Sequence, residues 1–198
     1  MNSKMIKDFI LDLFDVVTFL VFVGGIVLFV RFFIFNPYTV VWESMSPTFH
    51  ESDFIIVDKM SSKYGELKRW DVIVFVPPGK DIPYIKRIVW LPGETVKVKD
   101  GSVQICKNIS NSQKCEKLDE SYLPEGLKTE ARCGITEFPV DKGFFVMWDN
   151  RPHSTDSLCC FGLGCYNNAN YLVPDDRIIG KVSFRLFPFA QATANSTN

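Results

Sequence analysis

Two regimes of apolar patterning divide this chain. Residues 16–30 carry no charge, and after a single Arg31 the run Phe32-Phe33-Ile34-Phe35 continues them. About 20 such residues make roughly 30 Å of helix, the thickness of a bilayer's hydrocarbon core. The pattern predicts a transmembrane helix over 16–35, preceded by a short cytoplasmic segment, 1–15, and ended by Pro37. Arg31 lies near one end of the run, where its side chain reaches the headgroups. A cleaved leader would have a shorter core and a small-x-small exit, and Arg31-Phe32-Phe33-Ile34-Phe35-Asn36-Pro37 offers none. Lys4 and Lys7 precede the run, while no Lys or Arg occurs between Asn36 and Asp58, so the basic residues place the N-terminus inside and the remainder outside the cell.

Beyond the helix the pattern changes to short β-branched and aromatic runs cut by Gly, Pro and Asp. Strands are expected at 38–41, 54–58, 72–76, 82–91, 95–98, 102–106, 144–147 and 178–187. Asp100-Gly101 accepts the positive φ angles of a two-residue hairpin turn. The fold is therefore expected to be mainly β, one compact domain over 36–189. Residues 107–139 are polar and turn-rich and read as a Cys-containing insertion, and 190–198 as a disordered tail.

Charge changes the picture little: 22 basic residues against 23 acidic ones present no basic face, which argues against nucleic acid as a partner. Cysteine changes it more. All 6 lie beyond residue 100, a usage that fits an oxidising compartment. Cys106 and Cys115 enclose a compact loop suited to a disulfide, and the other pairings stay open. Cys159, Cys160 and Cys165 lie close together, but no standard histidine spacing makes them a metal site.

The candidate chemistry sits in two stretches, Trp42-Glu43-Ser44-Met45-Ser46-Pro47-Thr48-Phe49 and Tyr84-Ile85-Lys86-Arg87-Ile88. A serine needs a base to become a nucleophile. A lysine is that base only when burial lowers its pKa, and the apolar flanks of Lys86 fit this need. Two more stretches are Lys68-Arg69-Trp70-Asp71-Val72-Ile73-Val74-Phe75 and Trp148-Asp149-Asn150-Arg151-Pro152-His153-Ser154-Thr155-Asp156-Ser157. Together, in this order and after an anchor, the four resemble the motifs of the type I signal peptidases, which use a Ser-Lys dyad.

That resemblance implies a signal-peptidase-like β domain that cuts signal peptides from exported preproteins after an Ala-x-Ala-like site. It implies Ser44 as nucleophile, Lys86 as neutral general base, and Ser154 and Asp156 as their support. Met45, Phe49, Tyr84 and Ile85 would bind the substrate. No metal or other cofactor is implied, and the partners are the bilayer and the signal peptides. A Ser44-His153-Asp156 triad is the competing arrangement, although it leaves Lys86 without a role. The Ser-Lys pair is shared with self-cleaving repressors, which carry a DNA-binding head where this chain has an apolar helix. An inactive, membrane-anchored β module is the non-enzymatic alternative.

The chain departs from the resemblance in two ways. Leu158 stands where an arginine is implied, so another cation must serve Asp156. All 4 tryptophans, Trp42, Trp70, Trp90 and Trp148, fall where glycine is implied (serine in some members at 42). UGA codons translated as tryptophan, in a lineage that reads them as glycine, would produce this coincidence.

Overall fold

The computed structural model describes residues 3–65, 67–109, 112–131, 133–153, 155–163, 165, 170–187 and 190–191. Helix α1 (Ser3–Phe29) continues into a wider turn at Val30–Ile34. Then follow β1 (Phe35–Thr39), a 3-10 turn at Glu43–Met45, β2 (Phe54–Asp58), α2 (Lys59–Tyr64), β3 (Val72–Phe75) and β4 (Tyr84–Trp90). Next come β5 (Glu94–Lys99), β6 (Ser102–Ile109), β7 (Ser112–Lys117) and β8 (Glu137–Val140). The chain closes with β9 (Phe145–Met147), β10 (Ile178–Phe187) and β11 (Ala190–Gln191).

α1 stands clear of the β domain and exposes its Phe, Leu, Val and Ile side chains along its length. It starts well before residue 16, so Asp8, Asp12 and Asp15 are helical. Pro37 does not end it. The helical path stops at Ile34, and Pro37 lies within β1, an edge strand, where a missing N–H costs no ladder bond.

One sheet runs β1-β2-β10-β3-β4-β9, with β11 beside β10, and a second runs β7-β6-β5-β8. The short β5–β6 connection is the hairpin expected at Asp100-Gly101: Lys99 pairs with Ser102, and both turn residues have positive φ, 51° and 73°. The two ends of the stretch read as an insertion belong to the second sheet, since β6 runs on to Ile109, β7 follows, and β8 closes it at Glu137–Val140. β7 was hidden because Ser112–Lys117 has no apolar alternation; pairing with β6 and the Cys106–Cys115 disulfide hold it. Ala190 and Gln191, expected in a disordered tail, pair with Arg185 and Phe184, and 192–198 lie outside the described residues.

Apolar clusters cover both faces of the first sheet. Met45, Phe49, Ile55, Val57, Val72 and Val74 belong to one cluster, and Ile73, Phe75, Ile88, Val146 and Phe161 to another. A third joins the two sheets through Val89, Trp90, Phe145, Val96 and Phe138. β4 passes among all three, which is why Lys86 to Trp90 are buried without alternation. Two further disulfides, Cys133–Cys159 and Cys160–Cys165, brace the segment after β9.

Candidate active site

The geometry at Lys86 follows from how β4 is paired. Along one edge, Tyr84 to Arg87 face Phe75 to Val72 of β3. Along the other, β9 reaches only Arg87, Ile88 and Trp90. Among the described residues, Tyr84, Ile85 and Lys86 therefore have no strand partner on that side. Beside them lies a cleft of about 310 Å³. Residues 38–42 and 82–86 line it, together with Ser44, Ile55, Val74 and Trp148.

Ser44 sits in the 3-10 turn, 6 % exposed, with Met45 sunk into the core beneath it. The turn is tied to the loop after β9: Asn150 N donates to Ser44 O at 3.1 Å, and Asn150 Nδ2 donates to Glu43 O at 3.2 Å. Thr48 Oγ1 donates to Asp149 Oδ2 at 2.5 Å. Ser44 Oγ has no hydrogen bond among the described residues, and Ser44 lines the cleft.

Lys86 is 2 % exposed. Its Nζ donates to Ile85 O at 2.6 Å and lies 4.3 Å from the Trp148 ring centroid and 5.2 Å from that of Tyr84. Burial pulls the amine's pKa from 10.5 down to about 7, against the opposing fields of Asp156 and Asp149. A primary amine that is half neutral near pH 7 is a usable proton acceptor.

Asp156 is fully buried, and its carboxylate accepts from Trp148 N at 3.1 Å and Leu158 N at 3.0 Å. Leu158 packs into the core. Among the described cations, Arg151 also feels the field of Asp156, although its own ion pair is with Glu120. Sequence reasoning missed a second buried layer. Arg87 makes two hydrogen bonds to Asp149, and Arg151 donates to Thr129, Glu120 and Tyr122. Its signal was present: arginine directly after Lys86, and alternating charges in Asp149-Asn150-Arg151.

Residues 13–187 match the family model described as "Signal peptidase, peptidase S26". The chain belongs to the signal peptidase family. It is similar to signal peptidase I T of Bacillus subtilis, 37 % identical over 169 residues that cover 82 % of this chain and 79 % of that one. It is also similar to signal peptidase I of Bacillus licheniformis, 34 % identical over 186 residues covering 90 % of each. A crystal structure of signal peptidase I from Enterococcus faecalis aligns with a TM-score of 0.39 at 27 % identity, over 60 % of this chain and 97 % of that one.

In this signal peptidase the cleft brings Ser44, Lys86, Tyr84 and Ile85 together. Met45 and Phe49, expected beside the substrate, are 0 % and 1 % exposed in the core and do not line the cleft. They support its lining residues Val40, Ile55 and Val74 from below. Ser154 and the His153 side chain lie outside the described residues. The tryptophans fare unequally. Trp70 has a φ of 76°, in the region that favours glycine, and among the described residues the buried indole N–H groups of Trp90 and Trp148 have no hydrogen-bond partner.

Proposed function

We propose that this signal peptidase removes N-terminal signal peptides from exported preproteins, with Ser44 as nucleophile and neutral Lys86 as general base. The observation that carries this reading is the burial of the Lys86 amine in the cleft that Ser44 also lines. Ser44 Oγ attacks the scissile carbonyl as its proton passes to Lys86 Nζ. Lys86 then protonates the leaving amine, and the same amine activates the water that hydrolyses the acyl-enzyme. The Ser44 backbone N–H stabilises the oxyanion, while Asp156 and Ser154 order the lysine.

The free edge at 84–86 suits an extended substrate segment, which would add to it as a strand. The cleft beside it is mostly apolar, which suits the apolar residues around a scissile bond, and the preference for small residues of an Ala-x-Ala-like site comes from the family resemblance. α1 anchors the enzyme in the bilayer, N-terminus inside, with the β domain outside. The exposed apolar length of the helix and the disulfides support that placement.

The test is cleavage of a purified precursor by the full chain in lipid nanodiscs. Cleavage after alanine is expected, with loss of cutting when a large residue stands at −1. A precursor left intact by the folded parent enzyme overturns the reading.

A further inference from the structure

Arg87 and Arg151 flank the site on neighbouring elements, and one aromatic residue outside the cleft contacts both. The Tyr122 ring packs against the Arg87 guanidinium, 4.3 Å from its Cζ, and against Trp70, with ring centroids 5.1 Å apart. Tyr122 OH accepts from Arg151 Nη2 at 2.7 Å and donates to Glu120 Oε1 at 2.9 Å. Each arginine in turn holds a piece of the candidate site. Arg87 donates to Asp149 and, through Nη2, to Thr48 Oγ1 at 3.1 Å, on the loop that carries Ser44. Arg151 Nε donates to Trp148 O at 2.6 Å, on the residue whose ring covers Lys86.

We propose that Tyr122, reaching in from the segment between β7 and β8, is a positioning residue for the Ser44–Lys86 reaction, acting through Arg87 on Asp149. The inference rests on the dyad reading above. Its physical content is charge balance near one amine. The anions that act on Lys86 are Asp149 and Asp156, and the Tyr84 and Trp148 rings face it. Arg87 also donates to Trp70 O at 2.9 Å, and its guanidinium neutralises Asp149 fully only while the Tyr122 ring keeps water from it. Burial holds the Tyr122 phenol neutral, and its hydroxyl is engaged by Glu120 and Arg151, so the ring has a fixed seat. Without the ring, Arg87 hydrates, the charge of Asp149 weighs more on Lys86, and the amine holds its proton to higher pH.

The experiment measures kcat and KM against pH for the full-chain enzyme and for Tyr122→Ala, Tyr122→Leu and Tyr122→Phe. Tyr122→Leu keeps an apolar filler and serves if Tyr122→Ala fails to fold. The expected result for either is an acid limb of kcat moved up by about half a pH unit or more, with KM within about twofold. Tyr122→Phe keeps the ring against Arg87 and Trp70 and loses only the hydroxyl's bonds, so its limb is expected to lie closer to the parent's than that of Tyr122→Ala or Tyr122→Leu. A parent-like limb in a folded Tyr122→Ala or Tyr122→Leu enzyme overturns the proposal, because a merely structural loss lowers the rate without moving the limb. Ser44→Ala and Lys86→Ala are measured alongside. If they stay active the dyad itself falls and this role with it; if they are dead, a parent-like limb removes the Tyr122 role alone.

Discussion

Arg87 and Asp149 meet through two hydrogen bonds, 2.9 and 2.7 Å, with both side chains shut off from solvent at 1 % and 0 % exposure. The field of Asp149 acts on the Lys86 amine, so the pair's charge balance is part of that amine's environment. Asp149→Asn removes one of the two anions that favour protonated Lys86. The acid limb of the rate is expected to move to lower pH, opposite to the Tyr122 variants. Leaving Arg87 buried without its partner is expected to cost about 3–5 kcal/mol of stability, read by denaturant unfolding. A limb that moves upward instead would show that Asp149 does not act on Lys86 through its charge.

Cleavage by the parent enzyme is expected to rise with pH through about 7, as Lys86 loses its proton. A rate flat from pH 5 to pH 9, on the order of the range tested, removes lysine as the base. Ser44→Ala and Lys86→Ala are expected to lose all measurable turnover, while His153→Ala keeps it.

The same lysine makes a stability prediction. Its folded pKa lies below the unfolded value of 10.5, so between about 7 and 10.5 the unfolded chain binds more protons and stability rises with pH. Below about 7 both states are protonated and the full cost of the buried charge remains. Lys86→Met is therefore expected to be more stable than the parent by roughly 2–5 kcal/mol at pH 6, with the gain shrinking toward pH 10. Unfolding curves at several pH values check this, and a pH-independent difference would contradict it.

The disulfides differ in the length of chain they close. Cys133–Cys159 spans 26 residues and Cys160–Cys165 spans 5. Replacing both cysteines of the first pair by serine is expected to cost about 3–4 kcal/mol, and of the second about 2 kcal/mol. Thermal unfolding of the two double variants gives the order, and equal losses would mean that loop closure is not the governing effect.

Trp70 supplies a test of the tryptophan coincidence. Its φ of 76° costs a side-chain-bearing residue strain that glycine avoids, so Trp70→Gly is expected to stabilise the protein by roughly 1 kcal/mol or to be neutral despite the lost ring contact with Tyr122. Trp90, fully buried edge-on against Phe145, makes the contrasting case, where removing an authentic indole costs about 3–5 kcal/mol. The gene decides directly: UGA is expected at all four codons, and UGG at any one makes that tryptophan genuine.

The helix, most strands and the family were legible in the sequence, because each depends on local pattern or on a motif, and the two motif residues Ser44 and Lys86 line one cleft. Where it misled, the cause was tertiary. Pro37 reads as a helix stop, yet it occupies an edge strand whose N–H side is free. β7 reads as loop because its stability comes from a partner strand and a disulfide rather than from apolar alternation. Met45 and Phe49 read as contacts for substrate, but Met45 in the 3-10 turn and Phe49 just after it pack into the core cluster beneath the cleft. The Arg87–Asp149 and Arg151–Glu120 pairs join residues 62 and 31 positions apart, a relation that no local pattern encodes.

β1 also joins the helix directly to the first sheet. It starts one residue after the helical path ends at Ile34 and runs 5 residues, roughly 17 Å, toward the cleft. If α1 spans the bilayer as proposed, this strand, paired to β2 within the sheet, would hold Ser44 at one altitude above the lipid. The proposed enzyme would then measure as well as recognise: a bond would have to be both suitably flanked and delivered at that level, so matching sites deep in a folded cargo would pass out of reach.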